Sequence, residues 1–382
     1  MKVYVLSPRA AVLDAAQKAG VSLFPIGTQA ELDKLSTRER HVLVSDPLDP
    51  IEVARALLDA DVKTGSKDVV CIGFGDQTSQ VAAMVNASLD LAGGRHASFI
   101  ALERMRNKYR LRQILGSSSP LNVRYWLVDS FSEIEFLLQD SPAGLVVKPI
   151  DGSGSRGVTR VSSVEDIQKL TQGGRLLVEE YISGKEYSVE MLTWAGCHVP
   201  LVVTEKHIGG DSGLVETGQI QPARLRPETT QLMFEAAAKV LSLVDYRYGL
   251  SHIEFILHEG RPKLVEAHGR VGGDRIADLM QWSIGSSGFE LVFRAYLNDG
   301  AEQVAPTGMQ AAIEFVDLRN FQREDQVWLD TVQRIDGVKE AVILREPGCR
   351  SSIFQSSDRH AFVVLTSPSI DEKVQSIRAM EF

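Results

Sequence analysis

Cysteine is scarce in the sequence, basic residues do not exceed acidic ones, and there is no long hydrophobic segment. The three cysteines, Cys71, Cys197 and Cys349, lie far apart without C-x-x-C spacing, which argues against a disulfide scaffold or zinc finger and fits a reducing compartment. The net charge of −9 disfavours nucleic acid as the main partner, because phosphate contacts need a clustered basic surface. No run approaches the ~20 apolar residues that span a bilayer. We therefore expect a cytoplasmic protein without a nucleic-acid or membrane partner.

Alternating strand and helix patterns predict a doubly wound N-terminal domain over residues 1–100. The chain has 382 residues, 44% of them hydrophobic, which is enough for roughly two to four domains. Strand–helix alternation is typical of a parallel sheet covered on both faces. The loop Ser7-Pro8-Arg9-Ala10 lacks the glycines of a dinucleotide site. We therefore interpret this domain as a scaffold or substrate lobe and not as an NAD site.

The rest of the chain is predicted to form smaller α+β units. A basic linker helix is expected within residues 101–121, and most of its arginines are expected to face solvent. Strand–helix–strand passages predict a small lobe at 122–190, followed by a larger lobe at 191–300. The strands of residues 301–382 predict a β-rich closing lobe. The fold class is thus α/β combined with α+β.

A glycine-rich loop, Gly152-Ser153-Gly154-Ser155-Arg156-Gly157, follows a predicted strand. The β-branched run after it places the next helix too late for a Rossmann site, and the lysine of a Walker A loop is missing from its end. A glycine hairpin can instead fold over phosphates, as in kinases, although the kinase catalytic motifs are absent. Lys148, in the strand entering the loop, would need an anion to offset its desolvation. The alternative is a plain glycine turn beside a lysine that reaches solvent.

Two glutamates are expected to face each other on a later β-hairpin. If the hairpin is symmetric about Gly260, Glu254 lies opposite Glu266, and His252 lies opposite His268. At ~4 Å their repulsion costs about 1 kcal/mol in water and about 4 kcal/mol at a dielectric constant of about 20. We therefore expect one protonated carboxylate or a shared cation, and a nearby phosphate would favour Mg²⁺. Two solvent-facing glutamates, or a zinc or iron site using both histidines, are the alternatives.

The order and spacing of these motifs resemble the ATP-grasp superfamily of carboxylate–amine ligases, from Met1 to about residue 300. The resemblance implies an ATP-grasp fold, with the nucleotide between two α+β lobes and an N-terminal doubly wound domain carrying part of the substrate site. It also implies ATP and Mg²⁺ as cofactors. The segment Gly269-Arg270-Val271-Gly272-Gly273-Asp274 is similar to the Arg-x-Gly-Gly loop of the L-amino-acid ligase (dipeptide synthetase) branch.

The resemblance also implies a role for each matching residue. The nucleotide would contact the lysines, the glycine lid and the hinge strand: Lys108, Lys148, Ser153, Gly154, Ser155, Gly157, Glu179, Glu180, Tyr181, Ile182 and Glu186. Metal ligands would be Glu254, Glu266 and, where the family has asparagine, His268 or water. Arg270 and Lys148 would be catalytic. The substrate would contact Glu216, Arg270, Gly272, Gly273 and Asp274, and the segment Gly75-Asp76-Gln77 lies where some members place a substrate-contacting acid.

The activity implied by the resemblance is ATP-dependent amide formation through an acyl-phosphate, releasing ADP and phosphate. Its partners would be a small carboxylic or amino acid and an amine, and a homodimer is an open alternative because the family often forms dimers. A purine-pathway or biotin-carboxylase-type ligase is the runner-up. A two-histidine metal hydrolase and an ATP-binding protein without turnover are more remote alternatives.

Overall fold

The computed structural model describes residues 1–35, 40–152, 154, 156–170, 174–321 and 323–379. These residues form three β-sheets with helices packed against them. Within these ranges, the helices are all too short or too polar to cross a lipid bilayer.

A four-stranded parallel sheet forms the core of the N-terminal domain. Its elements are β1 (Lys2–Leu6), α1 (Ala10–Ala19), β2 (Ser22–Gly27), α2 (Gln29–Leu32), β3 (Val42–Leu43), α3 (Pro50–Asp59), β4 (Val69–Ile72) and α4 (Asp76–Ser88). The strand order β3-β2-β1-β4 reverses direction at β1. The loops after β1 and β4 therefore flank the crevice where doubly wound sheets bind ligands.

Two short helices occupy the predicted basic linker, where a single helix was expected. These are α5 (Phe99–Arg106) and α6 (Lys108–Leu115). Asn107 between them is extended, and its side chain accepts a hydrogen bond from the Arg110 amide at 2.9 Å, capping α6. The break makes Lys108 the first residue of α6, and its amide donates to the Ile150 carbonyl at 2.9 Å. The start of α6 is thereby fixed beside the glycine loop.

The small lobe is an antiparallel sheet with helices on one side. It contains β5 (Tyr125–Val128), α7 (Phe131–Gln139), β6 (Leu145–Pro149), β7 (Thr159–Val161), α8 (Val164–Gln168) and β8 (Leu176–Glu180), in the strand order β5-β8-β6-β7. Val147 and Leu145 point into the apolar core of this lobe. Lys148 points to the opposite face, because side chains alternate along a strand. We call this unit the lid lobe.

An eight-stranded antiparallel sheet forms the centre of the molecule. Its elements are β9 (Lys185–Trp194), β10 (Cys197–Gly209), β11 (Val215–Gln221), α9 (Pro227–Leu243), β12 (Gly249–His258), β13 (Arg261–His268), α10 (Ile276–Ser283), α11 (Gly288–Asn298), β14 (Gln310–Val316), α12 (Asp325–Gln333), β15 (Val338–Ile343), β16 (Ala361–Ser367) and α13 (Asp371–Arg378). The strand order is β13-β12-β9-β10-β11-β14-β16-β15. Strand β9 therefore pairs within the central sheet, although the expected small lobe at 122–190 included most of it. The strands after residue 301 extend the same sheet and do not form a sheet of their own.

The polar residues of the β12–β13 hairpin pair as expected, but the geometry that produces this pairing differs from the expected one. His252 pairs with His268 and Glu254 with Glu266. The turn is not symmetric about Gly260, however, since His258 pairs with Arg261. A bulge at Val265 adds one residue to β13 and restores the register. Without that bulge, Glu254 would face Val265 and the two carboxylates would lie on opposite faces.

Gly73, in the loop after β4, is expected to tolerate no side chain. An added Cβ would collide with the Thr78 carbonyl and lie 2.5 Å from the Ser79 amide nitrogen, at the start of α4. We predict that Gly73→Ala lowers the free energy of unfolding by about 1–3 kcal/mol or more. Gly348→Ala is the control, because its Cβ would meet nothing within 4 Å, and it should change stability by less than about 0.5 kcal/mol. Equal urea midpoints for the two variants would contradict the prediction.

Candidate active site

A cavity of about 170 Å³ lies between the lid lobe and the β12–β13 hairpin. It brings together most of the residues that the sequence suggested for nucleotide and metal: Lys108, Lys148, Gly154, Glu179, Glu180, Tyr181, Ile182, Glu186, Glu254 and Glu266, with Glu216 beside them. Gly157 lies at the turn before β7 and is not part of the lining. Ser153 and Ser155 lie outside the described residues. We call this space the first cavity.

The two facing glutamates in the first cavity are each neutralised by a buried lysine. Glu254 lies 2.6 Å from the Lys206 ammonium, and Glu266 lies 2.8 Å from the Lys108 ammonium. Burial would raise the pKa of Glu254, but Lys206 and His252 outweigh it and hold that pKa well below its ordinary value. Lys108 does the same for the pKa of Glu266. The expected choice between a protonated carboxylate and a shared cation thus omitted a third solution, pairing with lysine.

Lys206 is a functional candidate that sequence reasoning did not single out. Its buried ammonium also contacts Glu186 at 3.3 Å and Glu216 at 3.2 Å. Burial raises the pKa of Glu186 to about 7, with the charges of Glu254 and Glu216 acting in the same direction and Lys206 against them. The available signal was a lysine within the strand-like run of β10. Recognising its partners needed the pairing of β10 with β9 and β11, which is not local information.

Lys148 is held at the cavity by a buried ion pair with Glu179. Its ammonium lies 2.6 Å from one oxygen of that carboxylate, and the Arg112 guanidinium nitrogen Nε lies 2.7 Å from the other. Burial lowers the pKa of Lys148, Arg112 and Lys108 add to this, and Glu179 opposes it. Arg112, in α6, is only 2% exposed. It is therefore not part of the solvent-facing basic surface that was expected of the linker helix.

Glu180 lines the first cavity, but its carboxylate is directed to the lobe edge. It accepts hydrogen bonds from the Arg124 backbone at 2.9 Å and from the Arg124 guanidinium at 2.8 Å. Tyr181 carries the Arg160 guanidinium over its ring at 3.7 Å. Arginines therefore hold Glu180, at the end of β8, and Tyr181 after it, and any adenine contact by Glu180 would use its backbone.

A second cavity, of about 430 Å³, lies between the N-terminal domain and the loop after β13. It brings together most of the residues suggested for substrate, Arg270, Gly272, Gly273 and Asp274, and Asp76 also lines it. Arg270 donates through Nε to Asp76 at 2.8 Å. Glu216 is separated from this group and lines the first cavity.

Arg359, from the C-terminal segment, links the two cavities and was also missed from the sequence. It is 3% exposed, contacts Asp274 at 2.7 Å and Glu216 at 3.1 Å, and stacks on Phe315. Because these contacts join residues more than 40 positions apart, local sequence patterns do not predict them. Residue Gln219 contributes a further contact to Asp274 at 3.2 Å.

The donor set of the first cavity suits Mg²⁺ better than a transition metal. Among the described residues, no group of three or more histidine, cysteine, aspartate or glutamate side chains is arranged to hold a metal ion. The ring nitrogens of His252 contact Glu190 and Glu254, and those of His268 contact Asp76 and Glu266. Mg²⁺ needs only one or two carboxylates when phosphates and waters complete its shell. The facing glutamates meet that requirement.

Comparisons with known proteins agree with this fold. Residues 106–274 match the family model described as ATP-grasp domain, and the chain has the ATP-grasp fold. ATP-grasp ligases use ATP and Mg²⁺.

Several individual proteins resemble the chain. D-alanine–D-alanine ligase of Christiangramia forsetii is 30% identical over 146 residues, covering 35% of this chain and 44% of that protein. Carnosine synthase 1 of Mus musculus is 22% identical and aligns with 64% of this chain and 31% of its own length. The chain thus spans less than half the length of these relatives. The crystal structure of L-amino acid ligase from Bacillus licheniformis superposes with a TM-score of 0.79 at 20% identity, covering 99% of this chain and 96% of the other, which shows the shared fold.

Glu186→Gln tests the electrostatic description of the first cavity. Because the folded chain holds the Glu186 proton up to a pKa of about 7, against 4.5 ordinarily, this carboxylate costs stability as pH rises between those values, by up to about 3 kcal/mol. We therefore predict that E186Q gains stability relative to wild type between pH 5 and pH 7.5. Urea midpoints at both pH values measure this, with exposed Glu235→Gln as the control. A difference between E186Q and wild type that is independent of pH would refute the description.

Proposed function

We propose that the protein is an ATP-dependent carboxylate–amine ligase that releases ADP and phosphate. The observation that carries the proposal is the convergence of Lys108 and Lys148 on the cavity where Glu254 faces Glu266. Buried lysines beside a glycine loop suit a triphosphate, and the facing carboxylates suit the cation that accompanies it. The second cavity adjoins this site and presents Arg270.

In this proposal the lysines bind the phosphate groups of ATP. Lys108 and Lys148 are now paired with Glu266 and Glu179, and phosphate oxygens would share or replace these carboxylate partners. Glu254 and Glu266 would hold Mg²⁺, which supplies neutralisation of the charge that gathers on the phosphate oxygens. The lid lobe would exclude water from the phosphates by covering the first cavity.

The acid substrate would react from the second cavity. A free carboxylate is a poor electrophile, so its oxygen attacks the γ-phosphorus of ATP to form an acyl-phosphate and ADP. An amine then attacks the acyl carbon, and phosphate leaves. Negative charge accumulates in the transition states of both steps. A guanidinium that is already held in position, such as that of Arg270, stabilises this charge without having to move. Water must be excluded because it would hydrolyse the acyl-phosphate.

A screen of ADP release over pairs of amino acids and small acyl acids tests the proposed function. We expect ADP and phosphate to appear only when both an acid and an amine are supplied, together with a new amide detected by mass spectrometry. Bicarbonate in place of the acid should give no product, which separates this proposal from a carboxylase-type ligase. Stoichiometric AMP would refute the acyl-phosphate route.

Glu266→Gln tests the site assignment within the same assay. Loss of one carboxylate charge should weaken cation binding and lower the rate of ADP release about 100-fold. Glu235→Gln, on the exposed face of α9, serves as the matched control and should retain wild-type rates. Undiminished amide synthesis by E266Q would show that the phosphate site lies elsewhere.

A further inference from the structure

One continuous series of polar contacts connects the two cavities. Arg270 donates from Nε to Asp76 Oδ1 at 2.8 Å, and the same oxygen lies 2.9 Å from His268 Nδ1. On its other side, His268 Nε2 lies 2.9 Å from Glu266 Oε1. Glu266 Oε2 in turn contacts the Lys108 ammonium at 2.8 Å. The series therefore runs from the arginine of the second cavity to a lysine of the first.

The residues of this series come from different parts of the fold. Asp76 is the first residue of α4 in the N-terminal domain, where the helix N-terminus favours a negative charge. His268 ends β13, and its side chain is only 2% exposed. Burial would raise the pKa of Asp76, but His268 and Arg270 together hold it well below its ordinary value. The ionised Asp76 carboxylate therefore joins the N-terminal domain to His268 and Arg270 at the end of β13.

The neighbouring strand repeats the same arrangement. His252 Nδ1 lies 2.7 Å from Glu190, and its Nε2 lies 2.8 Å from Glu254. Glu254 and Glu266 thus each contact a histidine, and the other ring nitrogen of that histidine contacts a second carboxylate. Outer carboxylate–histidine pairs of this kind fix the orientation of the group they contact. Both rings therefore belong to the support of the glutamates.

We propose that Asp76 and His268 are positioning residues that couple the substrate cavity to the phosphate cavity, and that His268 is not a metal ligand. Asp76 holds the Arg270 guanidinium against the second cavity and, through His268, orients Glu266 in the first. This inference rests on the proposed function. It gives a role to His268, which stands where the ATP-grasp family has asparagine. Docking of the N-terminal domain would thereby complete both halves of the site together.

A mutant cycle with Asp76→Ala and His268→Ala tests the coupling. Each single variant should lower kcat/KM for the acid substrate about 10–100-fold, while KM for ATP changes less than about threefold. Because both residues act through one series of contacts, their effects should not add. The kcat/KM of the double variant should lie no more than about threefold below that of the less active single variant. Asp76→Asn keeps an acceptor for Arg270 and should recover part of the loss. Additive losses, or an equal loss of ATP affinity, would overturn the proposal.

Asp299→Asn is the control for a general effect of domain contacts. Asp299 forms a 3.0 Å ion pair with Arg95 of the N-terminal domain, away from both cavities. This variant should stay within about twofold of wild-type kcat/KM. A loss as large as that of Asp76→Ala would mean that the domain contact, and not positioning of Arg270, explains the effect.

A spectroscopic measurement separates this inference from the proposed function. In the Mn²⁺–ADP complex of the full chain, electron spin-echo modulation detects a nitrogen bound to the metal. We expect wild type and His268→Ala to give the same nitrogen signal, because His268 would not coordinate the ion. A nitrogen coupling that disappears in H268A would overturn the assignment of His268. Failure of the wild type to release ADP with any acid and amine would instead refute the proposed function.

Discussion

The structure depends on placing two carboxylates face to face in a partly enclosed cavity without leaving their charge unopposed. Glu254 and Glu266 meet this constraint with one lysine each, Lys206 from β10 and Lys108 from the start of α6. At a dielectric constant of about 20, two carboxylates ~4 Å apart repel by about 4 kcal/mol, and an ion pair closer than that offsets at least as much. The charge balance of the cavity therefore depends on contacts between the β12–β13 hairpin, β10 and α6.

The balance of charge around Lys206 is incomplete, and this explains why the cavity suits a cation with an anion. The Lys206 ammonium lies among Glu186, Glu216 and Glu254, while Arg359 contacts Glu216 and His252 contacts Glu254. Burial, together with the negative charges of Glu254 and Glu216, raises the pKa of Glu186. A triphosphate alone would worsen this excess, whereas a triphosphate arriving with a divalent cation would add opposite charges at neighbouring points. Buried polar networks of this kind stabilise a structure only when each member is satisfied.

The sequence was sufficient to predict those features that depend on local pattern, such as Lys148 before the glycine loop and the β12–β13 hairpin. The facing of Glu254 and Glu266 was predicted correctly, but from a wrong turn centre. The bulge at Val265 compensates for that error, and residue periodicity does not predict a bulge. Contacts between distant segments could not be predicted: Arg112 bonds a carboxylate 67 residues away, and Lys206 bonds one 48 residues away. Burial of such charges is decided by partners that only the folded chain supplies.

The histidine in Glu266-Ala267-His268 has a physical explanation in the length and chemistry of its side chain. An asparagine at this position offers an oxygen, which Mg²⁺ accepts, whereas imidazole offers only nitrogen, which Mg²⁺ disfavours. A histidine would therefore be a poor substitute as a ligand, but its two nitrogens point in divergent directions and span the gap between Glu266 and Asp76. The shorter asparagine has no ring with which to bridge both carboxylates. The substitution thus exchanges an oxygen ligand for a mechanical link to the N-terminal domain, and that link ends at Arg270, which lines the second cavity.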